Sequence, residues 1–408
     1  MSRRIRLIAP QGPVISRVAL SGSKSIANRV LIMQALAGSA AQLHNFPDAG
    51  DSQLLQHLLR ERSSTVDARD AGTVYRFLTA FLSVQEGEYV LTGTSRMLQR
   101  PIGDLVDALL ALGADITYAG RHGFPPLRIR GSQMAGGTVT VNTRISSQFA
   151  SALLLIGPVL PKGLTLVLNE PPVSAPYLQM TVSLMQRFGI NVHQQGLTIT
   201  VPNQPYRISD FFIEPDWSSA SYWYEIAALS GAAEIVLPGL TIPSLQGDAR
   251  IADFMTTFGV HTEPIPHGIR LRKVQAEQST ELTLSLSDHP DLAPALFATA
   301  AGCSRPARFF GLSHLRYKES NRAEAFATEL QRCQIVLQPE GEALKLSGTF
   351  QADTPAFYTY NDHRLAMALA PLCLRCGQVI IHEPDVVNKS YPNYWRDLQQ
   401  AGFSVMPC

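Results

Sequence analysis

The stretch Ser21-Gly22-Ser23-Lys24-Ser25-Ile26-Ala27-Asn28-Arg29, followed by the apolar run from Val30 to Ala37, decides how this chain is read. Val18-Ala19-Leu20 ahead of it has the character of a strand end, and the run behind it has helical spacing. A helix that opens inside a Ser, Gly and Lys segment leaves its first N–H groups without intrahelical acceptors. Backbone donors, hydroxyls and the Lys24 ammonium can then converge on an anion. Ser25 and Arg29 lie four apart and share one helical face. Taken alone, the stretch reads first as a capped helix with a solvated basic face. Its spacing is not that of a Walker loop, Gly-x-x-x-x-Gly-Lys-Ser/Thr, so ATP use is not implied.

With 408 residues, 45% of them hydrophobic and 16% charged, the chain is long enough for two domains with separate cores. A formal net charge of +1 argues against a nucleic-acid binder, so any cationic chemistry must be local. No run of eighteen uncharged apolar residues occurs, and no membrane-spanning helix is expected. Arg3, Arg4 and Arg6 precede a short apolar segment interrupted by Pro10 and Pro13, a poor signal peptide. Five cysteines, Cys303, Cys333, Cys373, Cys376 and Cys408, are odd in number and scattered, which points to free thiols in a reducing compartment. Cys373-x-x-Cys376 lies within an apolar pattern without a second pair, and reads as buried structural thiols rather than a redox or zinc motif.

A repeat runs through the chain. Helix-like segments end in an apolar pattern, usually a glycine, and then a short strand, as at Leu109 to Ile116, Leu184 to Ile190, Phe254 to Val260 and Leu398 to Phe403. Glu329 to Ile335 is a degenerate copy, and the region around Leu58-Leu59-Arg60 a truncated sixth. Successive copies are roughly seventy residues apart, room for a βαβ-containing unit rather than a solenoid rung. After most copies come a polar hairpin and an alternating strand, such as Leu127-Arg128-Ile129-Arg130. The unit is therefore helix, strand, hairpin, strand, and the fold class α/β.

Further segments carry charge or small polar groups at predicted helix starts. In Asp70-Ala71-Gly72-Thr73 the Gly-Thr pair lets backbone approach an anion, although Asp70 reads equally as an ordinary N-cap. Arg100 before Pro101 sits at a loop-to-helix junction, as either a cleft cation or a solvated arginine. Ser146-Ser147-Gln148 offers two hydroxyls and an amide, or a serine cap. Asp291 precedes an apolar helix, as base or as N-cap. In Lys318-Glu319-Ser320-Asn321-Arg322 a helical reading puts Lys318 and Arg322 at i and i+4, an acid and two cations together, or a surface ion-pair network. Tyr360-Asn361-Asp362-His363-Arg364 and Asn388-Lys389-Ser390-Tyr391-Pro392 add Arg364 and Lys389. His363 has no second histidine at ligand spacing, so a metal is not expected.

These segments, in this order, closely resemble the signatures of the 5-enolpyruvylshikimate-3-phosphate synthases over nearly the whole chain. The resemblance implies an inside-out α/β barrel fold of two domains, each with three βαβαββ-type units, helices inside and sheets outside. One domain would comprise 1–20 and 215–408, the other the inserted 21–214, with the active site in the cleft between them. The implied reaction moves the enolpyruvyl group of phosphoenolpyruvate to the 5-hydroxyl of shikimate 3-phosphate and releases phosphate. The implied protein is a cytoplasmic monomer with no cofactor, no metal, no nucleic-acid partner and no membrane partner.

Site roles follow by the same resemblance. Lys24, Asp291 and Glu319 are the catalytic residues, Glu319 protonating the methylene carbon while Lys24 and Asp291 assist removal of the hydroxyl proton. Shikimate 3-phosphate falls to Lys24, Ser25, Arg29, Ser146, Ser147, Gln148, Ser174, Tyr177, Asp291, His314 and Lys318. Phosphoenolpyruvate falls to Lys24, Gly72, Arg100, Gln148, Arg322, Arg364 and Lys389. The resemblance also implies sensitivity to glyphosate, a longer phosphonate analogue of phosphoenolpyruvate. Departures are Asp70 for the usual asparagine, Asn321 for the usual aspartate and Ala175 for a frequent lysine. Two other readings are weaker. A UDP-N-acetylglucosamine enolpyruvyl transferase would carry a cysteine near Arg96 to Arg100, which is absent. A non-catalytic anion-binding protein of this fold would not need Glu319, Lys24 and Asp291 together.

Overall fold

The computed structural model describes residues 3–61, 63–142, 146–276 and 281–408, which divide into two compact units. The first comprises Met1–Ser23, Asp48–Gly50 and Glu214–Cys408, and the second Lys24–Pro47 and Asp51–Ile213. The chain thus changes unit at Ser23 and again at Ile213. At these points the two passages of the first unit are joined: Ser23 N–H donates to Glu214 O at 2.8 Å, Asp216 N–H to Ser21 O at 3.0 Å, and Gly22 bridges Pro215. Asp48–Gly50 returns to the first unit, where Asn393 Nδ2 donates to Asp48 Oδ2 at 3.1 Å.

Among the described residues, five sheets have four strands and share one connectivity. In one, Thr65–Asp67 runs parallel to Gly87–Thr92, which pairs antiparallel with Leu127–Gly131, itself antiparallel to Asp115–Tyr118. The helix Gly72–Ser83 makes the parallel crossover and Gly103–Ala111 leads into the hairpin. The same order recurs in the sheets opened by Gly137–Val141, Val14–Arg17 and Leu282–Ser285. In the sheet opened by Ala356–Phe357, Arg4–Ile8 from the start of the chain pairs with Gln378–His382 and Ser404–Pro407 and completes the set. The sixth copy is the truncated one. Its sheet is only Leu43–His44 parallel to Phe211–Phe212, because the helix Gly50–Glu61 runs almost directly into Thr65–Asp67 of the next copy and no hairpin intervenes. The glycine closing a copy holds a left-handed backbone, φ 95° at Gly113, a C-terminal stop that side chains resist. In the degenerate copy Gln334 takes that conformation itself, φ 61°.

The helices lie inside each unit because several of them have no polar face. All ten residues of Ala293–Gly302 and all seven of His363–Leu369 are buried, and Trp217–Leu229 is buried except at Ser218. A helix apolar on every side must be surrounded by protein. These three pack on one another, as do Lys24–Ala37, Gly72–Ser83 and Ser147–Ile156 in the second unit. Strands such as Leu127–Gly131 and Ala233–Pro238 alternate in burial, one face on the helices and the other outward. Each unit has its own core, one built around Trp217, Trp223 and Phe297, the other around Tyr75, Phe77 and Phe149. The starts of Lys24–Ala37, Gly72–Ser83 and Ser147–Ile156 in one unit, and of Ala293–Gly302 and His363–Leu369 in the other, thus fall among the segments singled out in the sequence. No helix among the described residues is long and apolar enough to cross a membrane.

Candidate active site

In the first unit the charged segments form one network. Asp291 precedes the helix Ala293–Gly302, whose N-cap residue is Leu292. Its Oδ1 accepts from Lys318 Nζ at 3.2 Å and Arg322 Nη1 at 3.3 Å, and its Oδ2 from Arg364 Nη2 at 2.8 Å. Arg364 Nη1 also donates to the Asp291 backbone oxygen at 3.1 Å. Burial pushes the Asp291 carboxyl up, but Arg364, Lys318 and Arg322 outweigh it and hold the carboxyl well below its usual range. Burial in turn lowers the Lys318 ammonium, even against the pull of Asp291.

Arg322, 1% exposed, connects the three acids. Its Nε donates to Asp362 Oδ2 at 2.7 Å, its Nη2 to Glu319 Oε2 at 2.7 Å, and its Nη1 to Asp291. Burial alone would lower its pKa; Asp362, Glu319 and Asp291 reverse that and keep it charged. Lys389 Nζ stands 3.8 Å from Glu319 Oε1. Losing one partner of such a buried pair costs about 3 to 5 kcal/mol, because the other charge is left uncompensated.

Lys318 and Arg322 do not share a helix, contrary to the sequence expectation. A 3-10 turn, Ser313–Tyr317, ends at Lys318, and the helix Arg322–Gln331 begins four residues later. The bend between them, rather than helical spacing, turns both cations onto Asp291. His314 lies in that 3-10 turn, 5% exposed, and among the described residues neither of its ring nitrogens has a hydrogen-bond partner. Burial first, and the neighbouring Lys318 cation next, push its pKa down to about 4.

The second unit holds the other candidates. Lys24 opens the helix Lys24–Ala37 and its Nζ donates to Asp51 Oδ2 at 3.1 Å. Arg29, 2% exposed, is a staple between helices: Nε donates to Thr181 Oγ1 at 2.7 Å, Nη1 to Ser25 O at 2.8 Å and Nη2 to Tyr177 O at 3.0 Å. These use three of its five N–H groups. Burial lowers its pKa to about 10. Ser174 stands just ahead of the helix Ala175–Arg187 in left-handed backbone, φ 59°, and its side chain does not cap the helix. Ser146 does cap its helix, accepting from Gln148 N–H at 3.2 Å, with Ser147 buried beside it. The Gln148 amide donates to Thr73 Oγ1 at 2.9 Å and accepts from Arg76 Nη1 at 2.7 Å, which joins the starts of two central helices.

Gly72 and Arg100 meet directly. A Cβ built on Gly72 would lie 2.6 Å from the Arg100 guanidinium, whose Nη1 also donates to Asp70 O at 3.3 Å. Ala71, not Asp70, is the N-cap residue of the helix Gly72–Ser83.

Sequence reading gave no role to the side chains of Asp362, Asp51, Thr73, Arg76 or Thr181. Asp362, 0% exposed, accepts from Arg322, from Ser320 Oγ at 3.1 Å and from Arg364 N–H at 3.0 Å. A signal for it existed: an aspartate two residues before Arg364 at a predicted helix start has N-cap character. The others are met only through tertiary packing.

A sequence profile described as EPSP synthase (3-phosphoshikimate 1-carboxyvinyltransferase) matches residues 8–65 and 59–398. The 3-phosphoshikimate 1-carboxyvinyltransferase of Bacteroides fragilis (strain YCH46) is 44% identical over 98% of both chains. The enzyme of the same name from Methanoculleus marisnigri is 32% identical over 97% of this chain and 99% of its own. Among solved structures, EPSP synthase from Acinetobacter baumannii superposes with a TM-score of 0.79 at 22% identity, covering 99% of this chain and 100% of that one. The enolpyruvyl transferase NikO from Streptomyces tendae gives 0.77 at 15% identity, over 100% and 99%. These two share the fold.

Proposed function

The chain belongs to the EPSP synthase family, and from that premise we propose how its residues divide the work. The reaction transfers the enolpyruvyl group of phosphoenolpyruvate to shikimate 3-phosphate and releases phosphate. The observation that carries the reading is Arg322 holding Glu319 and Asp291 at once, an acid and a base on one buried cation. In our reading the shikimate 5-hydroxyl adds to the substituted vinyl carbon of phosphoenolpyruvate. Its proton passes toward Asp291 and Lys24, while Glu319 delivers a proton to the methylene carbon. One of the methyl protons then returns to the Glu319 carboxylate as phosphate leaves the tetrahedral adduct, which completes the transfer.

Asp291 in the unliganded chain is a weak base, since three cations lie against its carboxylate. Anionic substrates compete for those cations. As Arg322, Arg364 and Lys318 turn to phosphate and carboxylate oxygens, Asp291 regains proton affinity, so base strength is coupled to substrate binding. Phosphoenolpyruvate is assigned to Gly72, Arg100, Arg322, Arg364, Lys389, Lys24 and Gln148. Shikimate 3-phosphate is assigned to Lys24, Ser25, Arg29, Ser146, Ser147, Gln148, Ser174, Tyr177, His314, Lys318 and Asp291. The two units contribute to one reaction in this assignment, and Arg29 does so with the two N–H groups its staple leaves over. We place the protein in the cytoplasm, a reading supported by five cysteines that are all free thiols.

The test is phosphate release from phosphoenolpyruvate by the purified chain, with and without shikimate 3-phosphate. Release that depends on both is expected. Turnover with UDP-N-acetylglucosamine instead, or no release with either acceptor, would overturn the assignment.

A further inference from the structure

Arg322 and Glu329 stand seven residues apart on the helix Arg322–Gln331, so both leave the same face, about 10 Å from one another. Both reach one short loop. Arg322 grips Asp362 through Nε and Nη2. Glu329, 0% exposed, accepts from the Tyr360 hydroxyl at 2.7 Å on Oε1, and from Tyr358 N–H at 3.0 Å and Arg332 Nε at 2.8 Å on Oε2. Tyr358 is sandwiched further, stacked on His382 at 4.2 Å with the Arg332 guanidinium 5.4 Å from its ring centroid.

Between the two grips lies a tight turn. Asp362 N–H donates to Thr359 O at 2.8 Å, and the central residues Tyr360 and Asn361 have φ 52° and 56°. Two consecutive positive φ angles under such a bond are the signature of a type I′ turn, which normally takes Asn-Gly. Asparagine tolerates this backbone; a tyrosine meets steric resistance there. Something outside the turn must hold Tyr360 in place. The turn matters because it delivers Asp362, and Asp362 both fixes Arg322 and caps the helix that begins with His363 and Arg364.

We infer that Glu329 is a positioning residue: by anchoring Tyr360 and Tyr358 it fixes the Thr359–Asp362 turn, and through Asp362 it sets Arg322 and Arg364 for the anionic substrate. The inference rests on the function proposed above, since it takes those two arginines as phosphoenolpyruvate ligands. Glu329 itself touches no substrate.

The test compares Glu329→Gln, Glu329→Ala and Tyr360→Phe with the parent chain, by steady-state kinetics and by amide hydrogen exchange over Asp362 to Leu365 without ligand. Displaced arginines predict a rise of about tenfold in the KM for phosphoenolpyruvate in Glu329→Ala, a smaller rise in the two milder variants, and an unchanged KM for shikimate 3-phosphate. Exchange at these amides should quicken in the same order. Adding Tyr360→Gly to Glu329→Ala should recover most of the lost KM, because glycine takes the positive φ without an anchor. Lowered thermal stability with both KM values and exchange unchanged would overturn the inference. Should Glu329→Ala fail to fold, Tyr360→Phe and Glu329→Gln decide in the same way. Should the parent chain release no phosphate, the function fails first, and the exchange data alone settle whether Glu329 holds the turn.

Discussion

The Arg100 guanidinium occupies the space beside Gly72 that any side chain at that position would need, 2.6 Å from where a Cβ would stand. The obstacle is the far end of a flexible side chain, so a methyl group there would displace a cation rather than break the fold. From sequence alone, a methyl at Gly72 is expected to intrude on the longer glyphosate more than on phosphoenolpyruvate. With Arg100 assigned to phosphoenolpyruvate as proposed above, a second effect is expected, because both anions would lose the same displaced cation. For Gly72→Ala we expect roughly tenfold increases in the glyphosate inhibition constant, a smaller increase in the KM for phosphoenolpyruvate, and an unchanged melting temperature. Inhibition and saturation curves on both proteins measure this. Two unaltered constants would remove Arg100 from the anion site.

Glu319 lies between two cations, Arg322 at 2.7 Å and Lys389 at 3.8 Å. Replacing it with glutamine keeps the size and one acceptor but removes the transferable proton. Turnover of Glu319→Gln should fall by about two orders of magnitude or more, with the affinity for shikimate 3-phosphate near that of the parent. Near-normal turnover would mean that another group delivers the proton.

His314 couples stability to acid. Its folded pKa of about 4 lies below the ordinary 6.5, so between these values the unfolded chain binds a proton that the folded chain refuses. Its stabilising contribution is complete above pH 6.5 and declines as the pH drops toward 4. The full effect is about 3 kcal/mol. Urea midpoints at pH 7 and pH 4.5 should draw apart more in the parent than in His314→Asn; equal separations would place the imidazole in contact with water.

Glu225 works in the opposite direction. It is 0% exposed in the core, and among the described residues neither carboxyl oxygen has a hydrogen-bond partner. Burial, and secondarily Cys303, push its pKa well above 4.5. The folded chain therefore keeps a proton that the unfolded chain releases, and stability diminishes as pH rises beyond 4.5. Glu225→Met, similar in length and apolar, should raise stability by about 1 to 3 kcal/mol at pH 8 and by less at pH 5. Thermal melts at the two pH values would show it, and a destabilised variant would reveal a hidden partner for the carboxylate.

Much of the architecture was legible because it repeats. Leu109 to Ile116 and Leu184 to Ile190 announce their helix, glycine and strand locally, and the missing hairpin after Leu58-Leu59-Arg60 shows as missing residues. The site was legible where charge is clustered, as at Lys318 to Arg322, although the wrong local geometry was inferred there: apolar periodicity says nothing about a 3-10 turn closing at Lys318. Arg29 shows a different limit. Its position on the first helix was plain, but not that Thr181 and the Tyr177 carbonyl, some 150 residues away in sequence, take two of its donors. Asp362 could have been found as a cap, whereas its bond to Arg322 joins two helices whose packing no local pattern encodes.

The bonds from Ser23 to Glu214 and from Asp216 to Ser21 pin the start and the finish of a long excursion beside each other. Apart from the short return at Asp48–Gly50, what lies between is to the host a closed loop, and doubling the length of such a loop adds only about 0.6 kcal/mol of closure entropy. The host therefore exerts little pressure on how much chain its guest contains. A guest copy could shed its hairpin, leaving Leu43–His44 and Phe211–Phe212 as a two-stranded remnant, without moving either end. That makes Asp51–Ile213, the longer stretch outside the host, the place where a change of chain length costs the host least.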